Sequence, residues 1–465
     1  MTTYFLQSIE NNRQTITIIP VSSTQYAFWL EQQQEHVQQW LKAAAFDPKT
    51  GQAILVPGTK GQIECVVLGL EEDQDDYALA RAVQVLPAGD YCLGKEAANY
   101  PCTAILLFSL AWGLEQYRFS RYKKHTLPLK RLVVPPEVDF ILLSAAFSAI
   151  CLVRDLINTP AQDLTPEFLS KEAEKLAEKH NAHFKTIVGE DLLKEGFPSI
   201  YTVGRASVHP PRLIEFNWGD ALAPCITLVG KGVCFDTGGL DLKSAQGMRI
   251  MKKDMSGAAQ VLGLASLIME TNLPVRLRVL IPAVENAVSG NAYHPGDIIK
   301  TRKGLTVEVD NTDAEGRVIL SDALTYASEA SPQLIIDIAS LTGASTAALG
   351  YDIATLFTNN EITAKELLAS ADTVKESLWR MPLYAPYKEF ICPEIADLAN
   401  ASQVSYGGSI TAALFLQTFV GEGIPWIHFD TAAWNERAKP GKPMGGEATV
   451  IRSLYDYIAC CYAAT

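Results

Sequence analysis

Several things are scarce in this 465-residue chain, and each scarcity narrows what it can be. The nine cysteines are odd in number and none forms a CxxC; Cys460 and Cys461 are adjacent near the C-terminal end. That pattern argues against a disulfide framework or a cysteine-held zinc and leaves reduced packing residues. Seven dispersed histidines include no HExxH, which removes the usual histidine-held zinc hydrolase. Neither GxGxxG nor GxxxxGK(S/T) occurs, so a nucleotide reading is weak. Positive charge is also short: 39 Lys and Arg against 52 Asp and Glu give −13, and no overall field draws the chain to nucleic acid or an acidic membrane. The first residues, Met1 to Ser8, lack a basic region followed by an apolar core, and no unbroken run of about 18 apolar residues occurs. The expectation is a cytoplasmic chain with no membrane partner. Internal repeats and low-complexity segments are absent.

What is present is a large apolar fraction, 48%, enough for sizeable cores and two domains. In the first 150 residues, strands are expected at Thr15–Val21, Ala53–Pro57 and Ile63–Leu68, and helices at Tyr26–Ala45 and Asp76–Leu86. The basic run Arg118, Arg121, Lys123, Lys124, Lys130, Arg131 reads as a solvated helix end and loop, with an anion or nucleic-acid patch as the alternative. A helix Leu142–Ile157 should end at Asn158-Thr159-Pro160, and Thr165 should cap the next helix with Pro166 in its first turn. Further strands are expected at Arg212–Phe216, Ile226–Gly230, Arg276–Ile281, Leu334–Ile338 and Trp426–Asp430. Helices should follow Ser256, span Ile410–Val420 and close the chain at Ile451–Ala459. The fold class is α/β: a smaller N-terminal α/β domain, 1–150, joined by a helix to a larger catalytic α/β domain, 151–465, with a mixed, mainly parallel sheet covered by helices.

The densest chemistry lies in Val309-Asp310-Asn311-Thr312-Asp313-Ala314-Glu315-Gly316-Arg317-Val318. In an extended segment Asp313, Glu315 and Arg317 would share one side, Gly316 would allow close approach, and the apolar run Val318, Ile319, Leu320, Ala323, Leu324 restores helical spacing, so the local expectation is a strand or loop feeding a helix with the charged groups at the junction. Polar residues also gather where strands end and helices begin: Lys231, Asp236, Lys243 and Asp254. Four converging carboxylates are costly to bury without cations and suit two divalent ions. An ammonium cannot ligate, but near two cations a lysine loses its proton and becomes a ligand, while a second lysine can stay charged and polarise a carbonyl. His294 and His428 are assigned structural roles, Cys234 and Trp426 packing roles.

These motifs carry a resemblance to the leucyl aminopeptidase (cytosol aminopeptidase) family. Asn311-Thr312-Asp313-Ala314-Glu315-Gly316-Arg317 matches its signature, and Pro210-Pro211-Arg212, Val229–Gly232, Phe235-Asp236, Pro295-Gly296-Asp297, Leu341-Thr342-Gly343, Ile395-Ala396-Asp397 and Gly407–Phe415 match in order. The resemblance implies two divalent ions, manganese or zinc, held by Lys231, Asp236, Asp254, Asp313 and Glu315, with Asp236 and Glu315 bridging. It makes Lys243 the residue that holds the substrate carbonyl, and Arg317 the anchor of a bicarbonate or water that shuttles a proton. Met251, Ser340, Gly343 and Ala432 fall on the pocket for the first side chain. Ser244, Ser256, Ser340 and Asn435 depart from the usual proline, glycine, threonine and apolar rim residue. The implied activity is release of N-terminal, leucine-type residues from peptides by attack of a metal-bridging water or hydroxide, in a homohexamer. The alternative is a DNA-binding architectural or regulatory protein on the same scaffold.

Overall fold

The computed structural model describes residues 4–8, 14–70 and 77–463. It divides into two units: Met1–Cys151 with Arg437–Met444, and Leu152–Glu436 with Gly445–Thr465. The return of residues 437–444 to the first unit has no counterpart in the sequence pattern.

The first unit is built on strands β1 (Phe5–Leu6), β2 (Thr15–Ser22), β3 (Ala53–Pro57), β4 (Ile63–Leu70), β5 (Gly89–Leu93) and β6 (Lys130–Val133), ordered β1-β6-β5-β2-β4-β3. All neighbours are parallel except β3 with β4. The helix expected over Tyr26–Ala45 is two helices, Tyr26–Glu31 and Glu35–Ala43. The polar run Glu31–His36 offers no apolar anchor, and Gln33 turns its side-chain amide onto the Trp29 carbonyl (3.0 Å) where the first helix stops. Both pieces still bury Trp29, Val37 and Leu41 in one cluster. The next helix is Ala78–Val85; the expected start at Asp76 lies outside the described residues. In the basic run, Lys130 is buried with Nζ on the Val83 carbonyl, Arg131 forks onto Asp90 (2.6 and 2.8 Å), and Arg118 donates to the Glu115 and Tyr117 carbonyls. Arg118, Arg121, Lys123 and Lys124 are exposed and keep the solvated character expected of all six; Lys130 is buried and Arg131 half-buried.

The helix Phe140–Asn158 is the one segment among the described residues long and apolar enough to cross a membrane, and 56% of its apolar window is buried inside the protein. It stops before Thr159-Pro160, and Thr165 caps the helix Pro166–Lys179 by accepting from the Phe168 amide. The second unit's main sheet comprises β7 (His183–Val188), β8 (Arg212–Trp218), β9 (Cys225–Gly230), β10 (Gly232–Asp236) and β11 (Arg276–Asn286). After two short strands outside it, β12 (Ile298–Lys300) and β13 (Thr306–Glu308), it continues with β14 (Leu334–Ala339), β15 (Ala354–Thr358) and β16 (Leu378–Arg380). β17 (Leu398–Ala399) joins β12 and β13 in a small sheet, and β18 (Trp426–Asp430) completes the main one. Its order is β16-β15-β18-β14-β9-β11-β8-β7, with β10 also on β11. The four central strands run parallel and are buried on both faces, as their unbroken apolar runs require, while β15, β7 and β8 supply the antiparallel edges. Helices Ser256–Glu270 and Glu315–Glu329 each pack on the central strands.

Candidate metal centre

Two neighbouring strands part company at Lys231. β9 pairs with both β14 and β11, but after Gly230 the chain continues as β10 along β11 alone. The crevice beyond the β14 end is filled by the start of the helix Ser256–Glu270: the Ala258 amide donates to the Lys231 carbonyl (2.9 Å), and a Cβ on Gly257 would meet the Ile338 carbonyl oxygen at 2.0 Å. Only glycine allows helix and strand this close. Lys231 sits in the break, Asp236 ends β10, Lys243 follows in a loop, and Asp254 lies in the 3₁₀ turn Met251–Met255. Such a crevice at the carboxyl ends of parallel strands is where an open α/β sheet receives ligands.

The Asp313–Arg317 stretch lies where expected, at the junction of a segment feeding a helix, and that segment is a loop, not a strand. β13 stops at Glu308, Asp313 lies in a loop, and Glu315 and Arg317 belong to the first turn of the helix Glu315–Glu329. Side chains are gathered there by a tight loop instead of strand alternation. The loop is held by Asn400, whose Oδ1 accepts from the Asp310 and Asn311 amides (2.8 and 3.2 Å) and whose Nδ2 donates to the Asn311 carbonyl. Asp241 accepts from the Thr312 amide (2.7 Å), and the Tyr293 hydroxyl donates to the Thr312 carbonyl (2.6 Å). Gly316 does permit close approach: a Cβ there would stand 2.6 Å from Lys231 Cε.

The result is a carboxylate cluster in which Asp236 and Glu315 are buried and Asp313 is half-buried. Ligand oxygens of Asp236, Asp313 and Glu315 all lie within 4.8 Å of one another. Lys231 Nζ contacts Asp254 (2.8 and 2.9 Å), Glu315 Oε1 (2.9 Å) and the Ser340 carbonyl (2.9 Å); Lys243 Nζ contacts Asp236 Oδ2 (2.8 Å) and Asp313. Each ammonium therefore lies among carboxylates, in surroundings that suit a cation. The Glu315 contact lacks hydrogen-bond geometry, and neither Glu315 oxygen has a hydrogen-bond partner among the described residues. Burial and then Asp236 push Glu315 well above the usual carboxylate range, and the same two causes lift Asp313 to about 6 against the pull of Lys243. Burial alone would depress both lysines, yet the surrounding carboxylates raise both above the ordinary amine range. Arg317 is brought down to about 10 by burial, resisted by Asp430 and Glu315, and its Nε is buried with no hydrogen-bond partner among the described residues.

The residues expected at the pocket have distinct settings. Ser340 Oγ donates to Asp254 Oδ1 (2.8 Å), so its polar group is turned inward. Gly343 opens the helix Gly343–Leu349, and a Cβ there would meet nothing within 4 Å. Met251 is half-buried, and Ala432 is buried with its carbonyl accepting from Lys253 Nζ (3.0 Å). Asn435 directs its amide onto Glu447 (2.7 Å). Ser244 caps the short helix Ala245–Met248 by accepting from the Gly247 amide. His428 is buried in the sheet against Asp337, Trp426 is fully buried, Cys234 is buried, and the exposed His294 faces Asp297. Sequence reasoning missed Asn286, which donates to Asp236 Oδ1 (2.8 Å) and the Thr312 carbonyl (3.0 Å), along with Asn400, Lys253 and Asp430. A visible signal existed for Asn286: an amide closing the eleven-residue apolar strand β11.

A family model described as "Cytosol aminopeptidase family, catalytic domain" matches residues 151–455. The chain belongs to the cytosol aminopeptidase family. A second model, "M17 aminopeptidase, N-terminal domain", matches residues 16–135. A probable cytosol aminopeptidase of Syntrophotalea carbinolica is 37% identical over 456 residues, covering 90% of each chain. One of Roseiflexus castenholzii is 42% identical over 363 residues, 73% of each. Among solved structures, cytosol aminopeptidase from Coxiella burnetii superposes with a TM-score of 0.94 at 43% identity, covering 98% of this chain and 99% of that one. The bottromycin maturation enzyme BotP in complex with Mn superposes with a TM-score of 0.86 at 31% identity, covering 96% and 99%. As a cytosol aminopeptidase family member the chain is a hydrolase of peptides, an aminopeptidase with the two-domain α/β architecture expected. The DNA-binding alternative gains no support from these likenesses.

Proposed function

We propose that Lys231, Asp236, Asp254, Asp313 and Glu315 would hold two divalent ions, manganese or zinc, and that the enzyme removes apolar, leucine-type N-terminal residues. The observation that carries this reading is the cluster of the buried Asp236 and Glu315 with the half-buried Asp313, neither Glu315 oxygen being hydrogen-bonded among the described residues. Buried negative charge of that density is stable only beside cations. The manganese in the BotP structure supports the same donor chemistry. When bound, such ions lower the pKa of a water toward neutrality and polarise the scissile carbonyl.

The residues divide the remaining work. Lys231 is held charged by carboxylates against the effect of burial; once cations neutralise those carboxylates, burial prevails and the amine is left free to ligate. Lys243, 17% exposed at its side chain, would donate to the substrate carbonyl oxygen as charge develops there. Arg317, with a buried and unsatisfied Nε, anchors a bicarbonate or a water that carries the proton. Met251, Ser340, Gly343 and Ala432 receive the first side chain. Because Ser340 and Asn435 spend their polar groups on Asp254 and Glu447, the pocket stays apolar in effect. The reading includes a catalytic domain at 151–465, a homohexamer and a cytoplasmic location.

The test combines metal analysis with a paired substrate. Chelation should abolish hydrolysis of leucine amide, Mn or Zn should restore it, and the loaded protein should carry two ions per chain. The N-acetylated partner should be cleaved very poorly, because acetylation removes the amine lone pair the site reads. Full activity of metal-free protein, or equal rates on both amides, would overturn the reading.

A further inference from the structure

Asn286 closes β11 with its side chain 1% exposed, and its amide joins two segments of the metal centre. Nδ2 donates to Asp236 Oδ1 (2.8 Å), at the end of β10, and to the Thr312 carbonyl (3.0 Å), one residue before Asp313. The orientation of the amide is dictated by its neighbours: a carboxylate and a carbonyl only accept, so the nitrogen must face both. The backbone carbonyl of Asn286 accepts from the Thr237 amide (3.1 Å) and hydroxyl (2.8 Å), and the Thr237 carbonyl accepts from the Lys243 amide (3.0 Å). One residue thus supports the loop that runs from Asp236 to Lys243 and the loop that carries Asp313.

The strand pairing is broken to bring Asp236 to this amide. Gly232 opposes Ala283 and Val233 opposes Val284, but Asp236 opposes Asn286, three steps along β10 against two along β11. In unbroken register Phe235 would hold that place, and the Asp236 side chain would point to the other face of the sheet. With the bulge, the two oxygens of Asp236 differ. Oδ1 accepts from Asn286 and from the Gly238 amide (2.8 Å), which occupies both its lone pairs. Oδ2 contacts Lys243 Nζ (2.8 Å) and takes no amide donor among the described residues. On the other side, Thr312 is fully buried, with its amide on Asp241 (2.7 Å), its hydroxyl on the Gly238 carbonyl (2.6 Å) and its carbonyl shared by Asn286 and the Tyr293 hydroxyl (2.6 Å). Gly239, at φ +66°, packs so closely that a Cβ would stand 2.9 Å from Thr312 Oγ1 and 3.0 Å from Asn286 Oδ1. A hydrogen-bonded frame with so little room around it holds its ends at one separation.

We propose that Asn286 is a positioning residue of the metal centre: by occupying Oδ1 it leaves Asp236 to meet an ion through Oδ2 alone, and by holding the Thr312 carbonyl it fixes Asp313 relative to Asp236. The inference rests on the ligand set proposed above. Without the amide, Oδ1 loses one of its two donors and the carboxylate is free to turn and offer both oxygens, while the Asp313 loop loses its tie to β11.

The experiment compares wild type, Asn286→Ala and Glu315→Ala by manganese affinity in competition with a metal indicator, by the visible spectrum of the cobalt(II)-loaded protein, and by Tm of the metal-free protein. N286A should bind manganese roughly 10–100-fold more weakly. Its cobalt absorption should also be weaker than that of wild type, because an added carboxylate oxygen raises the coordination number. An asparagine that served the fold alone would lower the metal-free Tm and leave affinity and spectrum unchanged; that result overturns the proposal, as does wild-type behaviour throughout. Weakened affinity with an unchanged spectrum overturns the single-oxygen duty. Where N286A does not fold, Asn286→Thr takes its place in each of these comparisons, since a β-branched residue suits the strand and its hydroxyl stops a bond short of both acceptors. E315A separates the two levels of the argument. Wild-type affinity in E315A overturns the ligand set and this proposal with it, whereas lost metal in E315A beside full affinity in N286A overturns this proposal alone.

Discussion

Replacing Gly316 by alanine sets a known gain against a larger loss. In a helix the change is worth at most about 1 kcal/mol in favour of alanine. The new Cβ would stand 2.6, 2.7 and 2.8 Å from Cε, Nζ and Cδ of Lys231, well inside van der Waals contact. A free lysine would swing aside cheaply, but this one is 3% exposed and tied to Asp254, Glu315 and the Ser340 carbonyl. Breaking a buried pair of this kind costs about 3–5 kcal/mol. The net expectation is a loss of about 2–4 kcal/mol, which for a unit this large lowers Tm by on the order of 5 °C. Scanning calorimetry on the chelated proteins reads that loss, and metal analysis should find fewer than two ions per chain because a proposed ligand has been displaced. In a Lys231→Ala background the obstruction is gone, and the same Gly316→Ala change should be neutral or slightly stabilising. A Gly316→Ala protein with wild-type Tm and full metal content would show that the close approach does not constrain the site.

Other perturbations address neighbouring parts of the site. Ser340→Ala removes the 2.8 Å donor to Asp254 Oδ1 and should weaken metal affinity by roughly 10–100-fold, read by titration with a metal indicator; unchanged affinity would sink the coupling. Ala433 is fully buried at φ +46°, a conformation that costs a non-glycine residue about 1–2 kcal/mol. Ala433→Gly should therefore leave Tm equal or raise it despite the added chain entropy, and a clear fall would contradict stored strain. Lys243→Ala should lower kcat with about two ions still bound, whereas Glu315→Ala should lose metal; elemental analysis beside kinetics separates them.

Much of the second unit was legible because its signals are local. The central strands announce themselves as unbroken runs such as Leu334-Ile335-Ile336, and Thr165-Pro166 marks a helix start that hydrogen bonding bears out. The cluster of carboxylates was visible, as was its place at the start of a helix, but not whether a strand or a loop would lead into it: the loop is dictated by Asn400 and Asp241, some 90 and 70 residues away in sequence. Asn286, Lys253 and Asp430 escaped for the same reason. Each acts on a partner that no local pattern links to it, and Asp430 had been read simply as the last residue of a strand. In the first unit the polar run after Leu30 looked helical by composition, and only tertiary packing of Trp29 and Leu41 decided that two helices were needed.

On the proposed site assignment, the crevice at Lys231 also fixes when activity can begin. Lys231 is synthesised early in the second unit, but its amide donates to Ile338 and its ammonium to Ser340, and the turn bearing Ser340 is clamped by Asp430. About 200 residues separate the first of these from the last, on the order of 10–40 s of translation. β14 must be inserted between β9 and β18 before the turn has its final shape. A ribosome-bound chain thus carries every carboxylate of the centre well before it carries a finished cutting site.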